Sequence, residues 1–551
     1  MSAARALARL EGLRLEYGAL AAQRKLVLLE QLAPLRFARA DLLSRYHEAL
    51  CFCAAYPDHP QLLKVVRRSL AGFSARSDLA RFRDALADSG IAGTATHYNY
   101  FWMMARWLVE RLPRRLALDW TMPAFTARLA AGLPLLLPCL EAEAVRRSPL
   151  EPQALIDRLR GRETDARFLL RRIAGMAGDD FTREHFHDAI DSAYVVMPGP
   201  GFPSRTLACH GRAAVAFRAM PPPAARPDLA RELKRGPIDV RRVAGAEARA
   251  LVDLAREAML TRARDLAAFS WGSEDDVMLV DDGDGLSFAL IGSLPRRRLP
   301  LPVVHGWLML RNRVPVGYVQ TDTLLSGSEI SFNVFPTFRG AEAGYLFARV
   351  LSVAQHVLGA RAFSIEPYQL GAGNYEGIDT GAWWFYYKLG FRPIAPGPTH
   401  VLGRELARMR RDPRHRSSRQ TLLALSAGHM VFEPEAGQRA WLPMMPALGL
   451  AQRWESGPQV TENVLRRFDV RSIVEWNVDE RQALQHLAPL LLALGGVEDW
   501  TVAERRAAVD AVRAKGGQCE IEFARRVEAH TRLSKGIQRL LRAGCGAPRA
   551  G

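Results

Sequence analysis

Apolar residues recur at intervals of three and four along residues 1–190, as in the stretch ARALARLEGLRLEYGALAAQRKLVLLEQL. This spacing places apolar side chains on one face of an α-helix. The pattern therefore predicts a helical N-terminal domain over residues 1–196. An aromatic stripe at helical spacing, THYNYFWMMARWLVERL (96–112), is interpreted as part of its core.

The helical pattern stops at residues 197–235, where proline and glycine punctuate the chain and PPP occurs at 221–223. Consecutive prolines favour an extended backbone that cannot continue a helix. We interpret this stretch as a Pro/Gly-rich connector between domains.

From residue 236 the pattern alternates between period two and period three to four. Strands are predicted at 238–243, 285–293, 329–338 and 360–370, with a hairpin over 306–322 and helices at 244–260 and 344–358. This mixture predicts a central α/β or α+β domain with a mixed sheet over residues 236–425. Helical spacing returns afterwards, so residues 426–551 are expected to be a helical C-terminal region. The predicted fold class is thus a multidomain chain whose mixed-sheet domain is flanked by all-helical regions.

Length and composition agree with a multidomain globular chain. A chain of 551 residues is too long for one core, and 48% apolar residues exclude disorder as the general state. The most apolar runs are short and interrupted by Pro or Gly, so no membrane span is expected. Glu11 stands where a signal peptide would need unbroken apolar residues, which predicts a cytoplasmic protein.

Metal and disulfide chemistry is not expected. The six cysteines include no CxxC pair. His185 and His187 form an HxH on a predicted helix, which sends the two imidazoles to different faces.

The net charge of +17 has two explanations. Arginine supplies 69 of the 75 basic residues, a ratio typical of a GC-rich bacterial genome, so codon usage accounts for part of the charge. A nucleic acid or another partner that carries phosphates or carboxylates is also compatible with it. The densest basic segment, RELARMRRDPRHRSSR (404–419), is equally compatible with a contact surface and with a solvated helix end.

Two segments are candidates for chemistry. The segment PTFRGAEAG (336–344) joins a predicted strand to a predicted helix, so several backbone N–H groups and the helix dipole would converge on one point. Such a junction can bind a phosphate or pyrophosphate, although a purely structural turn has the same pattern.

The second segment is GAWWFYYKLGF (381–391), a short predicted helix that ends at Gly390. Tyr386 and Tyr387 are adjacent and point in different directions, so at most one belongs to the core. A tyrosine phenol with a pKa of about 10 can donate a proton to a thiolate whose conjugate acid has a pKa of about 8.5.

Together these segments resemble the GNAT superfamily of acyl-CoA-dependent N-acyltransferases. The resemblance covers about 236–410 and is strongest over 329–392, where the order is strand, RGAEAG loop, helix, strand, and then the run Ala-x-x-Phe-Tyr-x-Lys-Leu-Gly-Phe. It implies that acetyl-CoA or another acyl-CoA is the co-substrate. Glu342 stands where the pattern of the family has a glycine, and a carboxylate there repels a pyrophosphate unless it turns away.

The resemblance also implies residue roles. Backbone amides of the loop would hold the pyrophosphate of CoA, a role that falls on Arg339, Gly340, Ala341, Ala343 and Gly344. The strand backbone near Asn333–Phe335 would polarise the thioester carbonyl, which makes Phe335 a cofactor-binding candidate.

The same resemblance assigns three side chains. Tyr386 matches the tyrosine that protonates the departing thiolate, and the alternative for it is a core ring. Glu329 begins the strand where some members keep a general base, and a solvated strand-edge residue is an equal alternative. Asp379 takes the place of a frequent cofactor-binding asparagine, with Asn374 nearby.

Three functions follow from these expectations. The first is transfer of an acyl group, most simply acetyl, from acyl-CoA to an amine of a small molecule or a protein. The second is an interaction scaffold that keeps the fold without catalysis, which Glu342 favours and Tyr386 opposes. The third is an acyltransferase that uses aminoacyl-tRNA as donor, which the basic charge would suit.

Overall fold

The computed structural model describes residues 2–199, 201–211, 214–221, 226–340, 342–435, 442, 444 and 457–544. The chain forms two compact units. The first comprises Met1–Pro221, Ala250–Trp271 and Arg311–Pro315, and the second comprises Pro222–Arg249, Gly272–Leu310 and Val316–Gly551.

Helices dominate the N-terminal part of the chain, where the apolar spacing predicts them. They are α1 (Ala3–Gly12), α2 (Ala19–Leu32), α3 (Ala40–Ala55), α4 (Pro60–Ala71), α5 (Ser77–Arg81), α6 (Trp102–Arg111), α7 (Pro123–Gly132), α8 (Cys139–Arg147), α9 (Pro152–Leu159), α10 (Asp165–Ala174) and α11 (Asp180–Ile190), with 3-10 turns at Phe73–Ala75 and Leu133–Leu136. The aromatic stripe of 96–112 lies in the core as expected, since Trp102, Met104 and Leu108 on α6 are buried.

The first unit also contains a small sheet that the sequence pattern does not predict. It is formed by β1 (Thr96–Tyr98), β2 (Leu116–Leu118) and β3 (Tyr194–Val196), with β3 antiparallel to both neighbours. Strands of three residues are too short to show a period-two pattern, so the sequence does not predict them. The N-terminal region therefore contains strands as well as the predicted helices.

The remaining elements of the chain follow in order. They are α12 (Leu229–Lys234), β4 (Asp239–Val243), α13 (Gly245–Leu260), α14 (Ala267–Ser270), β5 (Gly272–Gly283), β6 (Leu286–Ser293), β7 (Val303–Arg311), β8 (Val314–Leu324), β9 (Gly327–Val334), α15 (Ala343–Leu358), β10 (Ala362–Ile365), α16 (Pro367–Leu370), α17 (Tyr375–Asp379), α18 (Ala382–Leu389), β11 (Arg392–Pro393), α19 (Pro396–Arg411), α20 (Arg419–Leu425), β12 (Met430–Phe432), α21 (Pro458–Arg467), α22 (Val478–Ala493), α23 (Val502–Lys515), α24 (Glu520–Ala529) and α25 (Thr531–Gly544), with 3-10 turns at Pro295–Arg297, Pro336–Phe338 and Val497–Asp499.

The second unit is built on one large mixed sheet. Its strand order is β11-β12-β10-β9-β8-β7-β6-β5-β4. The β8–β9 pair is antiparallel, whereas β9 and β10 run parallel because α15 carries the chain back between them. The expectation of a large mixed sheet with helices is confirmed.

Two predicted boundaries differ from the structure. The strand predicted at 360–370 is only four residues long, since Pro367 begins α16 and cannot donate to a sheet. The sheet also continues past residue 425, because β12 enters between β10 and β11. The predicted hairpin is present as β7 and β8, and Asn312 and Arg313 take positive φ at its tip.

Buried ion pairs fix the helices of the second unit to the sheet. Arg349 on α15 makes a bidentate pair with Asp282 on β5, and both N···O distances are 2.7 Å. Arg298 donates to Asp276 at 3.0 Å, and the same carboxylate accepts from the N–H of Glu520 at the start of α24 at 2.9 Å. This hydrogen-bonded group, which joins the start of α24 to β5, is buried.

Among the described residues, no helix combines the length and the apolar character that a membrane crossing requires.

Candidate functional site

The site begins where β9 leaves the sheet. Pro336 starts a 3-10 turn, Gly340 follows with φ of +81°, and α15 then begins at Ala343. A side chain is disfavoured at that φ, so glycine suits this position on conformational grounds. Ala341, which the sequence also assigns to the loop, lies outside the described residues.

A gap opens beside β9 because its parallel partner is short. The β9–β10 register runs only from Gly327 to Glu329, and β10 ends at Ile365. Within the described part of the sheet, the second half of β9 therefore has β8 on one side and no strand on the other.

Backbone direction decides which groups of β9 reach this gap. The N–H of Phe335 donates to the carbonyl of Val316 at 2.9 Å, so it points toward β8. Alternate residues of an antiparallel strand direct their backbone groups to opposite sides, so Val334 faces the gap. Its carbonyl accepts from Nε of Arg339 at 2.9 Å, in agreement with that direction. The N–H of Phe335, the candidate from the sequence, therefore points away from the gap, and its cofactor-binding role stays a prediction.

A pocket of about 250 Å³ occupies the gap. It is lined by Phe332, Asn333, Val334, Arg339, Ala343, Gln369, Asn374, Glu376, Gly377, Thr380, Ala382, Phe385 and Tyr386. Its walls are therefore the end of β9, the first residue of α15, and the α16–α18 segment. This volume approaches the lower end of the range for ligand pockets, roughly 300–1,000 Å³.

The ring of Tyr386 forms part of the apolar wall of the pocket, and its phenol hydroxyl is the polar group on that residue. Its side chain is 3% exposed, and its ring packs against Phe347, Phe385 and Phe391 at centroid distances of 5.2, 5.1 and 5.9 Å. Burial raises the pKa of its phenol. Among the described residues its hydroxyl has no hydrogen-bond partner. The hydroxyl is therefore available to donate to a group bound in the pocket.

The neighbouring rings of α18 are structural. Trp383 is fully buried and donates from Nε1 to the carbonyl of Leu425 at 3.0 Å. Tyr387 stacks on Trp383 at 5.3 Å and lies outside the pocket lining. Of the two adjacent tyrosines, only Tyr386 reaches the pocket.

Arg339 lines the pocket, and its guanidinium is already paired with a carboxylate. Besides Val334, its guanidinium pairs with the carboxylate of Glu376, which also lines the pocket. A bound anion would compete with Glu376 for this guanidinium.

The helix start beside Arg339 contains a second carboxylate. Glu342 occupies the N-cap position of α15 and is only 8% exposed, so its side chain does not point into solvent. Within the described part of the junction it makes no capping hydrogen bond to the first-turn N–H groups. Gly340 and Gly344 belong to the same junction but do not line the pocket.

Glu329 lies apart from the pocket in a row of carboxylates. Its Oε2 is 3.1 Å from Nε2 of His429, and Asp322 faces it across the β8–β9 pair. Burial, together with the charges of Glu329 and Glu366, raises the pKa of Asp322 to about 7. Burial and Glu329 also raise the pKa of Glu366, against the opposing effect of His429.

The row is linked to the pocket along one strand face. Glu329, Ser331 and Asn333 alternate along β9 and so point to the same face. Only Asn333 lines the pocket. At about 3.3 Å per residue, Glu329 lies roughly 13 Å along the strand from Asn333.

Asp379 does not line the pocket, whereas Asn374 does. The side chain of Asp379 is 69% exposed and lies 3.9 Å from Arg419, away from the pocket. Asn374 caps α17 by accepting from the N–H of Gly377 at 3.2 Å, and it donates to the carbonyl of Tyr368 at 3.1 Å.

Sequence reasoning missed Asp322, Glu366 and His429. These residues come from three separate segments, and only the strand register brings them together. Within the described residues, no group of three or more His, Cys, Asp or Glu side chains is arranged to hold a metal ion.

Comparison with known proteins returns no match: no family model, no curated protein and no solved structure is similar to this chain.

Proposed function

We propose that the second unit is an N-acyltransferase of the GNAT type, which transfers an acyl group, most simply acetyl, from acyl-CoA to an amine. The observation that carries the proposal is Tyr386, a buried tyrosine that lines the pocket and whose side chain makes no hydrogen bond among the described residues. The junction of β9 with α15 forms the opposite wall of the same pocket.

The pocket has the size for the reacting end of the cofactor. A volume of about 250 Å³ suits an acyl thioester and part of its pantetheine arm, with the nucleotide outside. The amides at the start of α15 and the guanidinium of Arg339 would lie near the pyrophosphate. The N–H of Val334, which faces the gap, would polarise the thioester carbonyl.

The reaction balances with these groups. The amine nitrogen attacks the carbonyl carbon, the C–N bond forms and the C–S bond breaks. The departing thiolate takes the phenolic proton of Tyr386, and the N–H proton that the attacking nitrogen loses as the amide forms returns through water to the Tyr386 phenolate. Burial keeps this phenol protonated at neutral pH, and the same dry surroundings raise the proton affinity of the thiolate.

The proton of the substrate ammonium needs a separate route. Neither Glu329 nor Glu366 lines the pocket, so water along the Glu329–Ser331–Asn333 face would carry the proton to them. Glu366, whose pKa is raised, is the better-placed acceptor because it follows β10 beside Ser331.

A second candidate is a non-catalytic scaffold with the same fold. Two observations favour it: Glu342 is buried at the helix start, and Glu376 already pairs with Arg339. Both carboxylates place negative charge where a pyrophosphate would lie.

Thiol release separates the two candidates. The purified chain is incubated with acetyl-, propionyl- and longer acyl-CoAs in the presence of a panel of small amines and lysine-containing peptides, and the products are identified by mass. Amine-dependent release of CoA with a matching acylated product supports the transferase. The absence of release across the whole panel, with the chain folded, contradicts it.

A further inference from the structure

An arginine-rich surface lies beside the α17–α18 wall of the pocket, on α19, α20 and the loop between them. We define the arginine surface as the exposed residues Arg404, Arg410, Arg411, Arg414, Arg416 and Arg419. The loop is joined to α18 because Trp384 donates from Nε1 to Oγ of Ser417 at 3.1 Å.

A buried carboxylate holds the loop that carries these arginines. Glu405 on α19 is 1% exposed and accepts from Arg408 at 2.8 Å, His415 at 3.0 Å and Ser417 at 2.7 Å. Although burial opposes its ionisation, these hydrogen bonds lower the pKa of Glu405. These hydrogen bonds hold the loop against α19. The negative charge of Glu405 is thereby buried and does not offset the exposed arginines.

Most arginines of this surface are not paired with a carboxylate among the described residues. Among the described residues, Arg404, Arg410, Arg411 and Arg414 form no ion pair. The carboxylate of Asp412 accepts a hydrogen bond from the backbone N–H of Arg414 at 2.8 Å. Like charges concentrated in this way repel each other, and an anionic partner would relieve that repulsion.

An exposed aromatic ring adjoins the charge. Tyr375 begins α17 and is 70% exposed, and the guanidinium of Arg419 lies 4.8 Å from its ring centroid. Tyr368 on the preceding helix is 53% exposed. Tyr375 thus presents an exposed ring beside Arg419, and proteins bind single strands by stacking bases on exposed rings and pairing phosphates with arginines.

We propose that the arginine surface and Tyr375 bind a single-stranded nucleic acid. Its phosphates contact Arg410, Arg411 and Arg414, and a base stacks on Tyr375. The inference is independent of acyl transfer, because none of these residues lines the pocket. RNA and DNA share the chemistry on which it depends.

The test is fluorescence anisotropy with labelled single strands of about 12 nucleotides, one RNA and one DNA, over a range of salt concentrations. The full chain is compared with three variants. They are Arg410→Gln with Arg411→Gln, Tyr375→Ala, and a control in which Arg539→Gln and Arg542→Gln remove two exposed arginines from α25.

We expect micromolar binding at low salt to one or both strands. Loss of Arg410 and Arg411 should reduce the slope of log affinity against log salt by about 1.4, since each single-strand phosphate contact contributes about 0.7. Tyr375→Ala should weaken binding about tenfold and leave the slope unchanged. The control should bind as the unmodified chain does.

Three outcomes overturn the proposal. One is no binding to either strand at low salt. Another is an equal loss in the control variant, which would mean that net charge alone drives binding. The third is binding to vesicles that contain anionic lipid by a chain that ignores both strands.

Discussion

The ring of Tyr386 meets the ring of Phe347 edge-on, with centroids 5.2 Å apart and planes at 68°. This contact joins α18 to α15 below the pocket, and it orients the Tyr386 side chain without using its hydroxyl. Packing and chemistry are therefore separable at this residue.

Replacing Tyr386 with Phe should preserve the fold and reduce turnover. No hydrogen bond within the described residues is lost, so we expect the free energy of unfolding to change by less than about 0.5 kcal/mol. Removal of a general acid should lower kcat about 10²- to 10⁴-fold while the Kd for acyl-CoA stays nearly constant. Steady-state kinetics and calorimetry measure the two effects. Tyr387→Phe on the same helix is the control, and equal activity in all three proteins would remove Tyr386 from the mechanism.

Replacing Glu342 with Gly should strengthen acyl-CoA binding. The buried carboxylate at the start of α15 would repel a pyrophosphate, and its removal is expected to contribute on the order of 1–2 kcal/mol. Titration of both forms with the same acyl-CoA measures this difference. Unchanged affinity would mean that the pyrophosphate does not approach the start of α15.

Stability should fall as pH rises toward neutrality because of Asp322. Its pKa is raised to about 7, so between pH 4 and 7 the folded chain holds a proton that the unfolded chain has released. Proton binding by Asp322 therefore stabilises the folded state at the acidic end of this range. Above pH 7 the folded chain carries the full free-energy cost of an ionised, buried Asp322. Asp322→Asn should remove this dependence and be more stable than the unmodified chain at pH 8 by on the order of 2–4 kcal/mol, with little difference near pH 4.

Urea unfolding at several pH values measures the effect, with the exposed Asp239→Asn as control. A stability difference between Asp322→Asn and the unmodified chain that does not vary with pH would contradict the assignment.

Two glycine substitutions should have opposite effects on stability. A Cβ at Gly292 would lie 2.2 Å from Oδ2 of Asp276, the carboxylate that holds Arg298 and the N–H of Glu520. Gly292→Ala should therefore destabilise the chain by about 2–3 kcal/mol. Gly403→Ala, at an exposed position in the interior of α19 where a Cβ meets no atom from outside its own helix within 4 Å, should stabilise it by about 0.5–1 kcal/mol. Chemical denaturation distinguishes the signs, and equal effects would be inconsistent with the packing around Asp276.

The fold was predictable wherever an element is long enough to show its period. The helix of 344–358 and the hairpin of 306–322 lie within a residue or a few residues of their predicted positions. β12 was not predictable, since three residues between helical stretches carry no period. Its place in the sheet depends on pairing with β10 and β11, which are distant in sequence.

The candidate site was predictable in its local parts. Arg339, Ala343 and Tyr386 line one pocket, and the roles assigned to them stay predictions. The N–H of Phe335 points away from the pocket because it donates to Val316, a pairing that the sequence does not reveal. Asp322 could not be found from the sequence, since its raised pKa follows from burial and from the register that sets it opposite Glu329.

The central claim is that the pocket between β9 and α18 binds the acyl-thioester end of acyl-CoA. Isothermal titration calorimetry with acetyl-CoA tests it, on the unmodified chain and on Ala382→Phe, which fills the pocket from the start of α18. We predict one site with micromolar Kd in the unmodified chain and at least tenfold weaker binding in the filled variant. No heat of binding in the unmodified chain, or equal binding by both proteins, would contradict the account.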